Sequence, residues 1–399
     1  MSYKKKIIIL ITSLFYENDF KRYGVEKYLN NGYDIEVCNA CPIVYPDFFK
    51  EVKKINTYKG NLEKIFFNKK ELKRYLTLNK KNLFILTIHY NTKTHFIFRL
   101  ISKLKINYIF SIVNIVPSNI ETNVEINFKK YLNIRAYFEI FNNRVLGFLK
   151  KNFQKINPPK YVIASGLKSL ESPQASIIKD NTNIIWTHTY DFDEYLSNLK
   201  QKNREIINFS KDFAVFIDAP SPLIKHDALI PGISSPLTAK IYFPSLCRFF
   251  DKIEKDLNLE VIIAAHPKSN HPEKPDYFGY RKVFNRMTID LVKHSKLVIN
   301  RNSTAINFAI LYSKPIIFHT SKEILSHFVM TNQINTMARL LNKMPINIDN
   351  FENFNLKNEL HINKDLYNNY SNQYIKNPTS KNDYSWNIIM DELKYENKN

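Results

Sequence analysis

LVINRNSTAINFAILYSKPIIFH, residues 297–319 of a 399-residue chain, is the stretch from which the rest is read. Leu297 to Ile299 is apolar on both faces, as a buried parallel strand is. Asn300 to Ser303 is a polar turn, and Thr304 to Tyr312 has the spacing of a short apolar helix. A Ser-Lys-Pro break then separates the helix from a second strand, Pro315 to Phe318. Strand, turn, helix and strand in this order form one repeat of a parallel α/β sheet. The turn delivers Ser303 and Thr304 to the start of the helix, where free backbone N–H groups and hydroxyls together can cradle a phosphate. Taken alone, Ser303 reads first as an ordinary helix cap.

A second feature upstream gives the turn more weight. Glu260 to Ala265 (EVIIAA) is another buried strand, and His266-Pro267 ends it. Proline keeps its predecessor out of helical geometry, so His266 is expected at the carboxyl edge of the sheet. Ligands of open α/β sheets bind at that edge. An imidazole at one strand end and a Ser-Thr pair after another are expected to meet on one anion.

Outward from there, the strand pattern recurs along the chain. Lys6 to Thr12, Asp34 to Asn39, Leu83 to Ile88, Tyr108 to Val116, Tyr161 to Ala164 and Asn183 to Trp186 read as strands of a first sheet. Phe20 to Asn30, Thr92 to Lys105 and Asn119 to Gln154 read as helical. Ser197 to Ser210 is polar and lacks periodicity, which puts a domain junction there. Phe213 to Ile217 opens a second set. It is followed by a proline-rich loop (Asp218 to Pro236), a helix (Lys240 to Leu257), a helix over Met287 to His294, a helix over Lys322 to Thr331, a strand near Ile346 to Ile348, and helical segments to Leu393. Two domains, 1–200 and 201–399, are expected, with the last helices packing back on the first.

The net charge is +21, from 58 Lys and Arg against 37 Asp and Glu. Most of the excess is lysine in a chain rich in Asn and Ile, the signature of an AT-rich genome. Such a surface is nonetheless drawn to anionic lipid, glycan or nucleotide. Cys38, Cys41 and Cys247 make no disulfide framework, and the C-x-x-C pair lacks a partner pair for zinc. His89, His95, His271, His294 and His319 show no H-x-x-x-H or H-E-x-x-H spacing, and neither G-x-G-x-x-G nor a P-loop occurs. No metal or cofactor is expected. The apolar run after Lys4-Lys5-Lys6 is too short for a leader and is read as the first strand. A cytoplasmic chain is expected, with peripheral contact to the inner face of the plasma membrane. Dispersed charge without a recognised motif argues against nucleic acid, although a basic nucleic-acid binder is the alternative from another class.

The order His266-Pro267, then roughly forty residues on a Ser-Thr pair opening a helix, resembles the donor-binding domain of bacterial sialyltransferases and polysialyltransferases. More broadly it is similar to GT-B glycosyltransferases of surface-polysaccharide synthesis. The segments AAHPKSN, TIDLVKHSKLVIN, NSTAINFAILYSKPIIF, YENDFKRYGVE and WTHTYDFDEYL carry the likeness. The resemblance implies an α/β GT-B fold, two Rossmann-like domains facing each other across a cleft. It implies a CMP-activated donor sugar (a nonulosonic acid or Kdo), a glycan or glycolipid acceptor, and inversion without metal. His266, Pro267, Lys268, Asn302, Ser303 and Thr304 would hold the nucleotide, and a carboxylate of the first domain would act as base. Asp19 is the first choice for that base and Glu17 the second, since both lie in the loop after the first strand, where a base can reach an acceptor hydroxyl. Asp218 and His226-Asp227 are alternatives in the second half. Asp191-Phe192-Asp193 is a D-x-D, which could hold a divalent cation but reads better as the start of a helix at the domain boundary. A CDP-glycerol or CDP-ribitol phosphotransferase is the competing enzymatic reading, although its second His-Pro is supplied here only by His271-Pro272, close to the first.

Overall fold

The computed structural model describes residues 6–52, 57–117, 156–201, 209, 211–223, 235–267 and 275–396. Lys268, His226-Asp227, His271-Pro272 and the helix expected over Asn119 to Gln154 lie outside the described residues.

Two parallel sheets organise the chain. The first contains β1 (Lys6–Ile11), β2 (Asp34–Asn39), β3 (Glu63–Ile65), β4 (Leu83–Leu86), β5 (Tyr108–Ile112), β6 (Tyr161–Ala164) and β7 (Asn183–Trp186), in the order β3-β2-β1-β4-β5-β6-β7. The second contains β8 (Phe213–Ile217), β9 (Glu260–Ala265), β10 (Val283–Asn285), β11 (Leu297–Asn300), β12 (Ile316–Thr320) and β13 (Ile346–Asn347), in the order β10-β9-β8-β11-β12-β13. Every strand pair is parallel. Ile7 to Ile11 and Val261 to Ala265 are all at most 1% exposed, as continuous apolar strands covered on both faces must be. In both sheets the strand order reverses beside the first strand. This sets switch-point crevices between β1 and β4 and between β8 and β11.

Helices cover both faces of the first sheet. They are α1 (Glu17–Arg22), α2 (Val25–Asn30), α3 (Cys41–Val44), α4 (Pro46–Glu51), α5 (Lys69–Leu78) and α6 (His95–Lys103). The single helix expected over Phe20 to Asn30 is two, because Gly24 sits between them at φ +65°. A Cβ there would stand 2.3 Å from the Trp386 ring. Residues 41–51 and β3, which gave no sequence signal, complete this edge of the sheet.

The crossover to the second sheet is helical. α7 (Tyr190–Lys200) runs through the first part of the polar stretch expected to be irregular. Its Phe192, Tyr195 and Leu196 join the core of the second sheet. The second half is built with α8 (Ala239–Leu257), α9 (Thr288–His294), α10 (Ile306–Leu311), α11 (Lys322–Leu325), α12 (Phe328–Leu340) and α13 (Lys364–Tyr370). The final helix, α14 (Ser385–Glu396), returns to the first sheet, where Trp386, Ile389 and Met390 pack with Ile7, Val25 and Tyr28. Ser385 and the buried His188 tie this return to α7. His188 Nε2 lies 2.7 Å from the Asp383 carbonyl, and Asp193 accepts the Ser385 N–H at 2.9 Å. No helix among the described residues is long and apolar enough to cross a membrane.

Candidate functional site

The carboxyl ends of β9, β8 and β11 lie side by side and carry His266, Asp218 and Arg301 in that order. Neighbouring strands are about 4.8 Å apart, so the outer two ends stand on the order of 10 Å from each other. The imidazole and the Ser-Thr turn are therefore on one rim. Asp218 is 5% exposed and accepts the backbone N–H of His266 at 3.2 Å, which braces the end of β9. Pro267 stops the strand and is exposed, while His266 is half-buried.

The turn after β11 differs from its expected form. α10 starts at Ile306, two residues later than the sequence indicated, and is only six residues long. Its dipole is correspondingly slight. The turn is held instead by Asn300, whose Oδ1 accepts the Ser303 N–H at 3.2 Å, and by Ser303 Oγ, which accepts the Ala305 N–H at 3.3 Å. Asn302, Ser303 and Thr304 are half-buried. Asn302 reaches α12 through Gln333 at 3.3 Å.

Between these residues is one that sequence reasoning passed over. Arg301 is 2% exposed. Its Nη2 donates to the Ser221 carbonyl at 3.0 Å and its Nε to Asn302 Oδ1 at 3.2 Å. The guanidinium lies over the Tyr242 ring, 5.5 Å from its centre. Nη1 is buried without a hydrogen-bond partner. The Tyr242 hydroxyl on that side is engaged by His319 Nε2 at 2.9 Å. Burial pushes His319 down to about 3, with the Arg301 charge adding to the effect, so the imidazole is neutral. Burial pushes Tyr242 up to about 12 against the lowering pull of the adjacent Arg301 guanidinium, and its phenol keeps its proton. No carboxylate among the described residues forms an ion pair with Arg301. A buried cation needs an anion, and Arg301 directly follows β11, which borders the switch point of the sheet.

The first sheet's rim faces this site through α7. Asp191, half-buried in the first turn of α7, accepts from Asn307 of α10 at 2.7 Å. Asn307 follows Thr304 by three residues and donates its backbone N–H to the Thr304 carbonyl at 3.0 Å. Burial, and then the charge of Glu194, raise the Asp191 carboxyl to about 6, against the opposing pull of Asn307 and Arg22. Asp191 and Asp193 have different partners, Asn307 for the first and Ser385 for the second. The D-x-D is thus a helix start whose two acids diverge.

Asp19 is 5% exposed and closes a capping box: its Oδ2 accepts the Tyr16 N–H, and its own N–H donates to the Tyr16 carbonyl, both at 2.9 Å. Arg22 approaches it at 3.7 Å. Burial pulls the Arg22 pKa down, but Asp19, Asp191, Tyr23 and Glu194 outweigh that and raise it overall. The charges of Asp19 and Asp191 both act on this guanidinium. Glu17 is exposed at the start of α1.

No protein-family model matches the chain, and no curated protein does. Solved structures match along nearly its whole length. The UDP-GlcNAc 2-epimerase of Methanocaldococcus jannaschii, in complex with UDP-GlcNAc and UDP, aligns at TM-score 0.52 and 14% identity over 98% of this chain and 99% of its own. The S. aureus MnaA–UDP structure aligns at 0.53 and 15% over 98% and 97%. The wall teichoic acid polymerase TagF, soaked with CDPG, aligns at 0.50 and 10% over 99% and 90%. The fold is GT-B. At these identities the likeness reaches no further than the arrangement of two Rossmann-like halves. That arrangement agrees with the fold class expected from the sequence.

Proposed function

We propose that this GT-B protein transfers a sugar from a nucleotide-activated donor to a glycan or glycolipid acceptor. The observation that carries the reading is Arg301, a buried guanidinium with an uncommitted N–H at the β8/β11 crevice. His266 and the Ser303-Thr304 turn lie on either side of that crevice. Nucleotide phosphate supplies the missing anion, and Arg301, the hydroxyls and the turn stabilise the charge that grows on it as the glycosidic bond breaks. The UDP and UDP-GlcNAc held by the fold's solved relatives support a nucleotide sugar as the ligand class.

The finer reading keeps a CMP-linked nonulosonic acid (sialic, pseudaminic or legionaminic) or Kdo as donor, with the nucleotide on the half formed by residues 201–399. A monophosphate leaving group requires no metal or other cofactor. One base and no protein nucleophile give inversion. Asp191 carries the base role, because a carboxyl raised towards neutrality accepts a proton at physiological pH more effectively than an ordinary one. Asp19, 3.7 Å from Arg22, is committed to the cap of α1. The acceptor approaches from the first half, whose basic surface also fits an anionic inner membrane.

The test is a melting-shift panel of CMP, CDP, UDP and GDP on the wild type and on His266→Ala. A bound nucleotide stabilises by mass action, about 2.7 kcal/mol at a hundredfold excess over Kd. CMP is expected to shift the wild type most, and the variant to lose most of the shift. A response to CDP alone favours the CDP-glycerol or CDP-ribitol phosphotransferase, and an unchanged shift in the variant removes His266 from the site.

A further inference from the structure

A cavity of about 460 Å³ opens on the first half, away from the β8/β11 crevice. It is lined by Ile43 and Val44 of α3, Lys69 of α5, Thr92 and Lys93 of the loop after β4, and His95, Phe96 and Arg99 of α6. Helices α3, α5 and α6 begin just after β2, β3 and β4, so the cavity sits at the carboxyl edge of the first sheet. Among the described lining residues three side chains are cations and none is acidic.

The positions of two of these cations are fixed by aromatic rings. Lys69 Nζ stands 4.6 Å from the centre of the Phe96 ring, and Lys93 Nζ stands 5.1 Å from that of Tyr45. Neither lysine, nor Arg99, forms an ion pair with any described residue. Elsewhere in the molecule exposed cations do find acids, as in Lys282–Glu260 and Lys296–Asp212. Ile43, Val44 and Phe96 give the cavity an apolar wall. Phe67, two residues before Lys69, is 65% exposed against Phe49, with ring centres 5.8 Å apart. The volume exceeds what a bare phosphate ion fills and falls in the range of sites for organic ligands.

We propose that this cavity binds a phosphate ester joined to an apolar group, with Lys69, Lys93 and Arg99 on the phosphate and the Ile43–Val44–Phe96 wall against the apolar part. A phospholipid and a soluble amphiphilic phosphate ester share that chemistry. The site is independent of the nucleotide crevice and stands whether or not that crevice takes a nucleotide.

Two sources are separated by the probes. Wild type is sedimented with vesicles of phosphatidylcholine alone and with vesicles containing phosphatidylglycerol, and titrated calorimetrically with glycerol 3-phosphate and with a short-chain soluble phosphatidylglycerol. The same is done for Lys69→Glu/Lys93→Glu/Arg99→Glu and for a control, Lys240→Glu/Lys255→Glu/Lys364→Glu, which reverses three exposed lysines of the other half. Each surface cation contributes about fivefold to anionic-phospholipid affinity. The cavity variant is therefore expected to bind phosphatidylglycerol vesicles and the short-chain lipid at least ~100-fold more weakly, with the control within ~10-fold of wild type. Binding of the short-chain lipid in solution without vesicle binding upholds the site and assigns it to a soluble ligand, whereas equal affinity for glycerol 3-phosphate overturns the role of the apolar wall. Equal loss in both triple variants, or no binding of any probe by the wild type, overturns the proposal. Circular dichroism and an unchanged melting point show that the cavity variant is folded.

Discussion

Replacing Arg301 with methionine separates a ligand-binding cation from a structural one. The substitution removes the charged hydrogen bonds to the Ser221 carbonyl (3.0 Å) and to Asn302 Oδ1 (3.2 Å) and the contact with the Tyr242 ring (5.5 Å). Each charge-assisted bond contributes ~1.5–3 kcal/mol and a desolvated cation–ring contact up to ~2 kcal/mol, so ~3–8 kcal/mol is lost. Methionine fills similar space and no longer requires a charge to be stripped of water, a penalty of several kcal/mol for an ion without a counter-charge. The two terms nearly cancel. Ligand-free Arg301→Met is expected within ~2 kcal/mol of wild type by urea denaturation. The nucleotide, having lost its phosphate partner, is expected to bind at least ~30-fold more weakly by calorimetry. A ligand-free loss above ~4 kcal/mol with affinity retained would refute the reasoning and make Arg301 a strut.

Asp191→Asn is expected to lower turnover by ~10²–10⁴ and to abolish an activity limb that otherwise rises through about pH 6, as read from a pH–rate profile. Stability gives an independent sign. The folded pKa lies above the ordinary 3.8, so the folded state holds its proton more tightly. The contribution of Asp191 to stability is then greatest at low pH and falls as pH rises from about 4 to 6, by at most ~3 kcal/mol. Denaturation at pH 4 and pH 8 is expected to show that fall shrinking in Asp191→Asn. Gly24→Ala combines a left-handed φ with a Cβ 2.3 Å from Trp386 and is expected to cost more than ~2 kcal/mol. Gly32→Ala, with open space at φ +79°, is expected to cost less, and the comparison is made by chemical denaturation. Ser303→Ala is expected to reduce nucleotide affinity by ~3–30-fold with little change in melting point.

The strands were legible because parallel strands buried on both faces are unbroken apolar runs, and KIIILI, FAVFI, EVIIAA and LVIN need no context. Shorter edge elements were not. β3 is EKI with two exposed positions, and β10 is VFN, so neither has an apolar signature. The Phe20 to Asn30 helix was overextended because the demand on Gly24 comes from Trp386, more than three hundred residues away. At the site, His266 and Ser303-Thr304 were visible from strand-end and turn chemistry. Arg301 was not, since an arginine between two asparagines in a turn reads as solvated. Its burial is decided by Ser221 and Tyr242, which the fold brings to it from elsewhere in the chain. The available signal was its position directly after the strand that borders the switch point. Asp191 was set aside as half of a D-x-D, and only its contact with Asn307 gives it a place of its own.

A crystal structure of the protein with CMP tests most directly whether the rim of the second sheet is a nucleotide-phosphate site. A phosphate oxygen is expected ~2.7–3.0 Å from Arg301 Nη1, with the Ser303-Thr304 turn and His266 within hydrogen-bond reach of the same group. A nucleotide seated elsewhere, or one whose phosphate leaves Nη1 without a partner, would contradict it.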